Sequence, residues 1–218
     1  MARRFGRSQP LPLGARDGVD PKLVAAIDRL GHVMRIQMSR VARAHGLTPT
    51  QLQLLLRLRT DPPERNRAST LAAELDLTVA TVSDTLTTLE RKGLVERAAD
   101  PEDGRGVRIT LTPHGEDIAR SADAWQSRAQ DLLARVSESD KLRALDFLVG
   151  VLGELHSEGL VAVAPRICPT CRYHREPDEV EHDDGRCVLL DLDLGPGDVR
   201  VDCPEHESVP RTEIGRRP

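Results

Sequence analysis

Aromatic side chains are nearly missing from this chain: two Phe, one Trp and one Tyr among 218 residues. The four are Phe5, Trp125, Phe147 and Tyr173. Any core must therefore be built from Leu, Val, Ile and Ala. The apolar share is a low 39%, and 30% charged residues keep the surface soluble. Long hydrophobic runs are absent too, and nothing approaches the ~18 consecutive apolar residues of a membrane span. The amino terminus, "MARRFGRSQPLPLGARDG", has basic residues but no apolar segment, so it is not a secretory signal. It reads as a disordered basic arm over residues 1–19, and the expected location is the cytoplasm. Also lacking are Gly-x-Ser-x-Gly, His-Glu-x-x-His and a phosphate-cradling glycine loop, so no enzyme is expected. Cysteine is absent from the first 167 residues, and then four occur at 168, 171, 187 and 203.

The net charge of −4 conceals an uneven distribution. Residues 1–47 carry nine basic and three acidic side chains, and residues 160–218 carry eight and thirteen. A uniformly acidic chain would bind nucleic acid poorly, because phosphate neutralisation dominates affinity. A basic arm and locally placed arginines leave room for one nucleic-acid face.

Three segments carry long helical patterns. In 20–45 the apolar positions are Leu23, Ile27, Leu30, Met34, Met38 and Val41. In 113–136 they are Ile118, Ala122, Trp125, Ala129, Leu132 and Val136, and in 139–157 Leu145, Leu148, Leu152 and Leu155. Alternating steps of three and four make a narrow stripe suited to another helix. A homodimer is the natural reading and an intramolecular helix pack the bland one. His32, His45, His114 and His156 read as ordinary surface or helix-end residues.

Residues 48–111 are the most informative. "TPTQ" sets Thr48 as a cap, Pro49 at the first helical position and Gln51 at the capping-box position. "STLAAELDLTVATVSDTLTTLERKGLVER" then reads as a short helix, a turn at Asp76–Thr78 and a longer helix. Leu71, Ala72 and Leu75 face inward from the first, and Val82, Leu86 and Leu89 from the second. Gly93 stops it, since glycine tolerates left-handed backbone. "LVERA", a charged loop and "VRITLT" make a β-hairpin, with Val107, Ile109 and Leu111 inward and Arg108 and Thr110 outward. Helix-turn-helix plus hairpin is a winged helix, whose second helix enters the major groove.

The stretch from "LTPTQLQLLLRL" through "DPEDGRGVRITLTPHG" resembles the MarR family of bacterial transcription factors, and the resemblance covers roughly residues 22–158. It implies a winged-helix homodimer on pseudo-palindromic double-stranded operator DNA, often released by a ligand or by oxidation. It also implies the DNA-contacting set: Thr81, Ser83, Asp84, Thr85, Thr87 and Thr88 on the recognition helix, with Lys92 and Arg108 beside them. Asp103 would brace the wing, and Arg105 would enter the minor groove, where negative potential favours arginine. Two departures from the family stand out. Asp76 occupies a turn position commonly Gly, and Asp84 one commonly Arg or Lys, so the target sequence cannot be borrowed.

The tail has too few large apolar residues to hold a core unaided, and units this small need disulfides, a metal or a partner. The spacing Cys168-x2-Cys171-x15-Cys187-x15-Cys203 points to a four-sulfur metal centre. His174, His182 and His206 are expected to be exposed rather than ligands. Pro follows both Cys168 and Cys203, as after cluster-ligating cysteines. This leans the expectation to an iron–sulfur cluster of unspecified nuclearity, with Zn²⁺ as the alternative. A Cys-x-x-Cys thiol-redox protein is a minor alternative, because no strand precedes Cys168.

The expected fold is mainly α with a small β-hairpin wing: a winged helix-turn-helix flanked by dimerisation helices, plus a small Cys-rich extension. The expected organisation is an arm at 1–19, the winged-helix and dimerisation domain at 20–158, the four-cysteine extension at 159–208 and a disordered tail at 209–218. The function expected is a repressor whose operator binding is controlled by the metal centre, redox sensing by iron–sulfur favoured. The alternative is a repressor answering a small molecule, with structural zinc in the tail.

Overall fold

The computed structural model describes residues 18–99, 106–161, 163–176 and 185–209, with the side chains at 124–126 outside that description. The chain falls into two compact units, Met1–Leu52 and Gln53–Pro218.

In the first unit α1 spans Asp20–Ala44, with Pro in its opening turn. It ends where Gly46 turns left-handed at φ 64° and the Leu47 amide reaches back to the Ala42 carbonyl at 2.8 Å. Leu23, Ile27, Leu30 and Met34 of its stripe all remain exposed. The capping box forms as read. The Gln51 amide donates to Thr48 Oγ1 at 3.2 Å and the Thr48 amide to Gln51 Oε1 at 3.1 Å, opening α2 at Pro49–Thr60.

The second unit continues α2 and adds α3 (Ala68–Glu74), α4 (Val79–Arg91), β1 (Val95–Ala99), β2 (Val107–Leu111), α5 (Pro113–Ser121), α6 (Asp123–Leu133) and α7 (Glu138–Ser157). The strands pair antiparallel in the register Val95↔Leu111 to Ala99↔Val107. Together α3, α4 and the hairpin form the winged helix. Its core is aliphatic, as the lack of aromatics requires: Leu54, Leu55, Leu71, Val82, Leu86, Leu89, Leu94, Val95 and Ile109 are almost wholly buried. Val107 departs from the expected alternation. It is 50% exposed while Ile109 alone of that strand is fully buried, because Val107 sits at the open end of a two-stranded ribbon.

The segment 113–136 is two helices and not one. Ser121 Oγ donates to the Ile118 carbonyl at 2.6 Å, and Arg59 Nη1 approaches the Ala119 carbonyl at 3.5 Å while gripping Asp123 at 2.8 Å. Side chains thus compete for carbonyls that a continuous helix would use internally. Along α6 and α7, Leu132, Leu148 and Leu152 stay exposed, as does Val136 just beyond α6. Trp125 lies outside the described side chains. Among the described residues no helix is long and apolar enough to cross a membrane.

Beyond α7 the tail is structured. A 3₁₀ turn at Cys168–Thr170 leads to an antiparallel three-stranded sheet of β3 (His174–Arg175), β4 (Gly185–Cys187) and β5 (Leu192–Leu194). The final segment pairs antiparallel with residues 170–172, the Arg172 amide donating to Glu207 (2.8 Å) and Val209 to Thr170 (3.2 Å) around a Cys171–Ser208 bridge, and the Cys203 amide donates to the Arg166 carbonyl (2.9 Å). Backbone hydrogen bonds therefore supply much of what a large core would.

One glycine is sterically required. A Cβ on Gly115 would stand 2.0 Å from the Leu94 carbonyl oxygen, so α5 sits against the start of β1 with no room for a methyl. Gly115→Ala is expected to lower the unfolding free energy by about 1–3 kcal/mol, read from a urea titration followed by circular dichroism.

Candidate nucleic-acid interface and cysteine cluster

The recognition helix is set by its ends. Asp76 takes the turn in the left-handed region, φ 51°, and Thr78 caps α4 by accepting from the Thr81 amide at 3.1 Å. Val82, Leu86 and Leu89 bury one face. The opposite face presents Thr81, Asp84 and Thr87 in the open, with Ser83, Thr85 and Thr88 half-buried. Three of these hydroxyls donate back into their own helix: Thr85 to the Thr81 carbonyl (2.7 Å), Thr87 to Ser83 (2.9 Å) and Thr88 to Asp84 (3.1 Å). With that proton engaged, each side chain turns outward only acceptor lone pairs and a methyl.

Lys92 is exposed at the helix end, while Arg108 is half-buried on β2. Asp103 and Arg105 lie outside the described residues. Arg97, which the sequence reading passed over, reaches from β1 onto the helix. Its Nη2 donates to the Ser83 carbonyl at 3.2 Å and to Thr87 Oγ1 at 3.0 Å, and its Nε pairs with Glu90 at 3.6 Å. The signal was available in "LVERA", where strand alternation puts Arg97 on the same side as Val95.

The second assembly joins tail and winged helix. Arg166 is buried, with Nη2 2.6 Å from Asp61 Oδ1 and Nη1 3.5 Å from Glu74 Oε1. Asp61 follows α2 and Glu74 ends α3, so one guanidinium ties both to the tail. Around it Arg57 bonds Asp202 at 3.0 Å, and Arg65 donates to the carbonyls of Pro204 (3.1 Å) and His206 (3.3 Å). Asp61 Oδ2 and both Glu74 oxygens are buried without a hydrogen-bond donor. Burial, then the hydrogen bond and charge of Asp61, push the Glu74 carboxyl above its usual value against the pull of Arg166 and Arg65.

Arg166 stands two residues before Cys168. The four cysteines are free thiols and line one small cavity with Ile167, Leu190 and Leu194. Cys168 and Cys171 flank the 3₁₀ turn, closed by the Cys171 amide on the Cys168 carbonyl at 2.9 Å. The Arg200 amide donates to Cys168 Sγ at 3.2 Å. Burial pushes the Cys168 thiol up, the Arg200 hydrogen bond opposes this, and the other three cysteines add to the rise. Among the described residues no three His, Cys, Asp or Glu side chains already stand in metal-holding geometry. His174 and His206, expected to be exposed, are buried, and so is His156. The returning final segment carries His206 inward, its Nε2 3.0 Å from Thr170 Oγ1, and β3 places His174 against the cysteine cavity. Burial and the nearby Arg65 and Arg166 hold the His206 imidazole below its usual pKa. His182 lies outside the described residues.

The sequence model of the MarR family matches residues 47–107. Over 120 residues the chain is 32% identical to the HTH-type transcriptional repressor Rv2887 of Mycobacterium tuberculosis, covering 54% of this chain and 84% of that protein. Among solved structures it is similar to the Staphylococcus aureus MepR–DNA complex, with 25% identity, a TM-score of 0.52, and 61% of this chain and 97% of that one covered. A MarR family transcription regulator of known crystal structure shares 27% identity at a TM-score of 0.53, with 63% and 89% covered. The family match ends well before the cysteines.

Removing one partner of a buried ion pair leaves the other charge uncompensated, so Asp61→Asn and Arg166→Met should each lose about 3–5 kcal/mol in urea unfolding. Glu74→Gln should behave oppositely. A carboxyl raised in the folded state stabilises fully below its unfolded value of about 4.3, and that contribution is lost as pH rises through the raised value. The amide escapes that loss, so the stability of the Gln variant relative to wild type should climb as pH rises above about 4.3.

Proposed function

The chain belongs to the MarR family, and from that premise we propose a homodimeric transcription repressor whose hold on operator DNA is set by a C-terminal four-cysteine metal centre. One observation carries the control half of this reading: the buried Arg166, two residues from Cys168, is tied to Asp61 and Glu74 of the DNA-binding lobe. Glu74 ends α3, and the turn after it opens α4. A change in how Cys168 is held is therefore passed through Arg166 to the base of the recognition helix.

For the DNA half, α4 enters the major groove and the hairpin follows the adjacent backbone. The back-bonded threonines and Asp84 make a face of acceptors and methyl groups. Their complements are the exocyclic amines of cytosine and adenine and the methyl of thymine. Arg97 holds Ser83 and Thr87 in place from the wing, and Arg105 reaches the minor groove from its tip. The exposed leucine stripes of α1 and α7 await a second copy, which would set the recognition helices one helical turn, ~34 Å, apart. Metal ligation supplies folding energy to a tail without a core of its own. Its loss would release Arg166 and alter that separation. The organisation read from the sequence, with an arm at 1–19, a regulator domain at 20–158 and a cysteine extension at 159–208, fits this division of labour, except that Val209, read as part of a disordered tail, is buried and bonded to Thr170.

A second reading keeps the repressor and changes the signal. Between winged helix and tail lies a cavity of about 610 Å³, lined by Arg57, Arg65, Arg166 and His206 and by the apolar Leu152 and Val201. That is ligand-sized, and a small-molecule effector entering it would act on the same Arg166 contact, with the tail a structural clip.

Operator fragments recovered by in vitro selection permit a direct test. Arg105→Ala should weaken binding by about 5- to 150-fold, the range of a lost specific arginine contact. Cys187→Ser should shift operator affinity within a similar range, typical of allosteric coupling. An unchanged titration for Cys187→Ser, in protein whose winged helix is intact by circular dichroism, would reject metal control.

A further inference from the structure

We propose that Arg97 is a positioning residue for base readout: by pinning the Thr87 hydroxyl, it leaves Thr87 to read the methyl group of thymine. This rests on the DNA-binding reading above and assigns one residue of α4 its base chemistry.

Arg97 is anchored at both ends. Its backbone stands opposite Ile109 in the hairpin register, and Ile109 is buried, with its amide donating to the Asn66 carbonyl at 2.9 Å. At the other end Nη2 donates to the Ser83 carbonyl at 3.2 Å and to Thr87 Oγ1 at 3.0 Å, and Nε faces Glu90 at 3.6 Å. Between hairpin and helices lies a cavity of about 260 Å³, lined by Ala68, Ser83, Leu86, Thr87, Val107 and Arg97. The arginine spans that gap. Glu90 offsets its charge, so the guanidinium is committed to the protein and not to a phosphate.

The Thr87 oxygen is thereby nearly saturated. A hydroxyl has one proton and two lone pairs. Here the proton goes to the Ser83 carbonyl at 2.9 Å, and one lone pair accepts from Arg97. A second donor, such as a base amine, would have to approach beside a cation, and its positive end is repelled there. What Thr87 has left for DNA is its methyl group, and Thr87 is exposed on α4. In the major groove the apolar complement of a methyl is the C5-methyl of thymine. Asp84, exposed three residues earlier, is left to take the base amines.

The arginine also chooses the rotamer. Threonine in a helix divides between two χ1 wells, because its hydroxyl can bond the carbonyl of the preceding turn from either. The bond to Arg97 favours the well in which the oxygen meets the wing. Without it the methyl and the hydroxyl can exchange places, and the contact offered to a base changes from apolar to polar. The wing thus contributes to specificity through α4, at a base it does not touch.

Operators are recovered by in vitro selection with the full-length protein, and each thymine is replaced in turn by deoxyuridine, which lacks only the methyl. Each thymine whose methyl is in contact should lose about fourfold in affinity, the worth of one buried methyl. Thr87→Ser should erase one of these losses and so mark the thymine under Thr87. At that thymine Arg97→Ala should erase the loss as well, with the salt dependence of binding unchanged. Thr87→Val should keep it, since its two branches hold one χ1 well in a helix, and adding Arg97→Ala to that variant should change nothing there. Where Arg97→Ala fails to fold by circular dichroism, Arg97→Met keeps the apolar stem and supplies the same comparison. A loss that survives removal of the arginine, or no loss that Thr87→Ser erases, overturns the assignment and leaves DNA binding standing. So does a salt slope that falls by about 0.9 per contact, which makes Arg97 a phosphate ligand. Wild-type protein that selects no sequence overturns the DNA-binding reading and this assignment with it.

Discussion

A single guanidinium holds together what the chain separates by about a hundred positions. Arg166 lies 92% out of solvent and 2.6 Å from an equally buried Asp61, with Glu74 at its other nitrogen. Taking such charges from water costs several kcal/mol per ion before any return from the pairing. The arrangement persists because every side of it is braced. Arg65 holds the last tail segment by two carbonyls, Arg57 holds Asp202, and the Cys203 amide holds the Arg166 carbonyl. A buried pair of this kind contributes specificity of docking more than net stability. The tail has one seat on the winged helix, and that seat is at the end of the helix preceding α4.

The same economy runs through the whole second unit. With four aromatic residues in the chain, the core is a compact cluster of leucines and valines, and polar devices carry the rest. Arg59 interrupts what would be one helix by gripping Asp123. Thr112 both caps α5 through the Gly115 amide at 3.0 Å and donates to the Gly93 carbonyl at 2.7 Å. Gly115 lets that helix approach β1 more closely than any other residue would allow. The winged helix is thereby a closely packed platform.

The recognition face is unusual in charge. Its exposed residues are hydroxylic and acidic, and the positive groups stand at its margins, Arg91 and Lys92 at the helix end and Arg97 on the wing. Under the proposed function, a face of acceptors framed by cations would separate the two tasks of a DNA reader, phosphates at the edge and bases at the centre. The acidic tail lies on the opposite account of the charge ledger and is tied to the far end of α3.

Much of this was legible in the linear sequence because its causes are local. The capping box at Thr48 and Gln51, the left-handed turn at Asp76, the stop at Gly93 and the inward set Val82, Leu86 and Leu89 each depend on residues within a turn or two. The spacing of four cysteines likewise announced that they would meet. Other features depend on distant partners and left no local trace. The break at Ala122 comes from Arg59, and the burial of His206 from the final segment docking its ring on Thr170. Arg166 in "APRICPTC" looks like any surface arginine. By itself the sequence determined the helices apart from the break at Ala122, the turn, the wing and the gathering of the cysteines in the tail, since hydrophobic period and turn chemistry act over short range. Only the tertiary structure decided where the tail docks, how small the thiol cavity is and which buried charges join it to the DNA-binding lobe, because those follow from side chains brought together across more than a hundred residues.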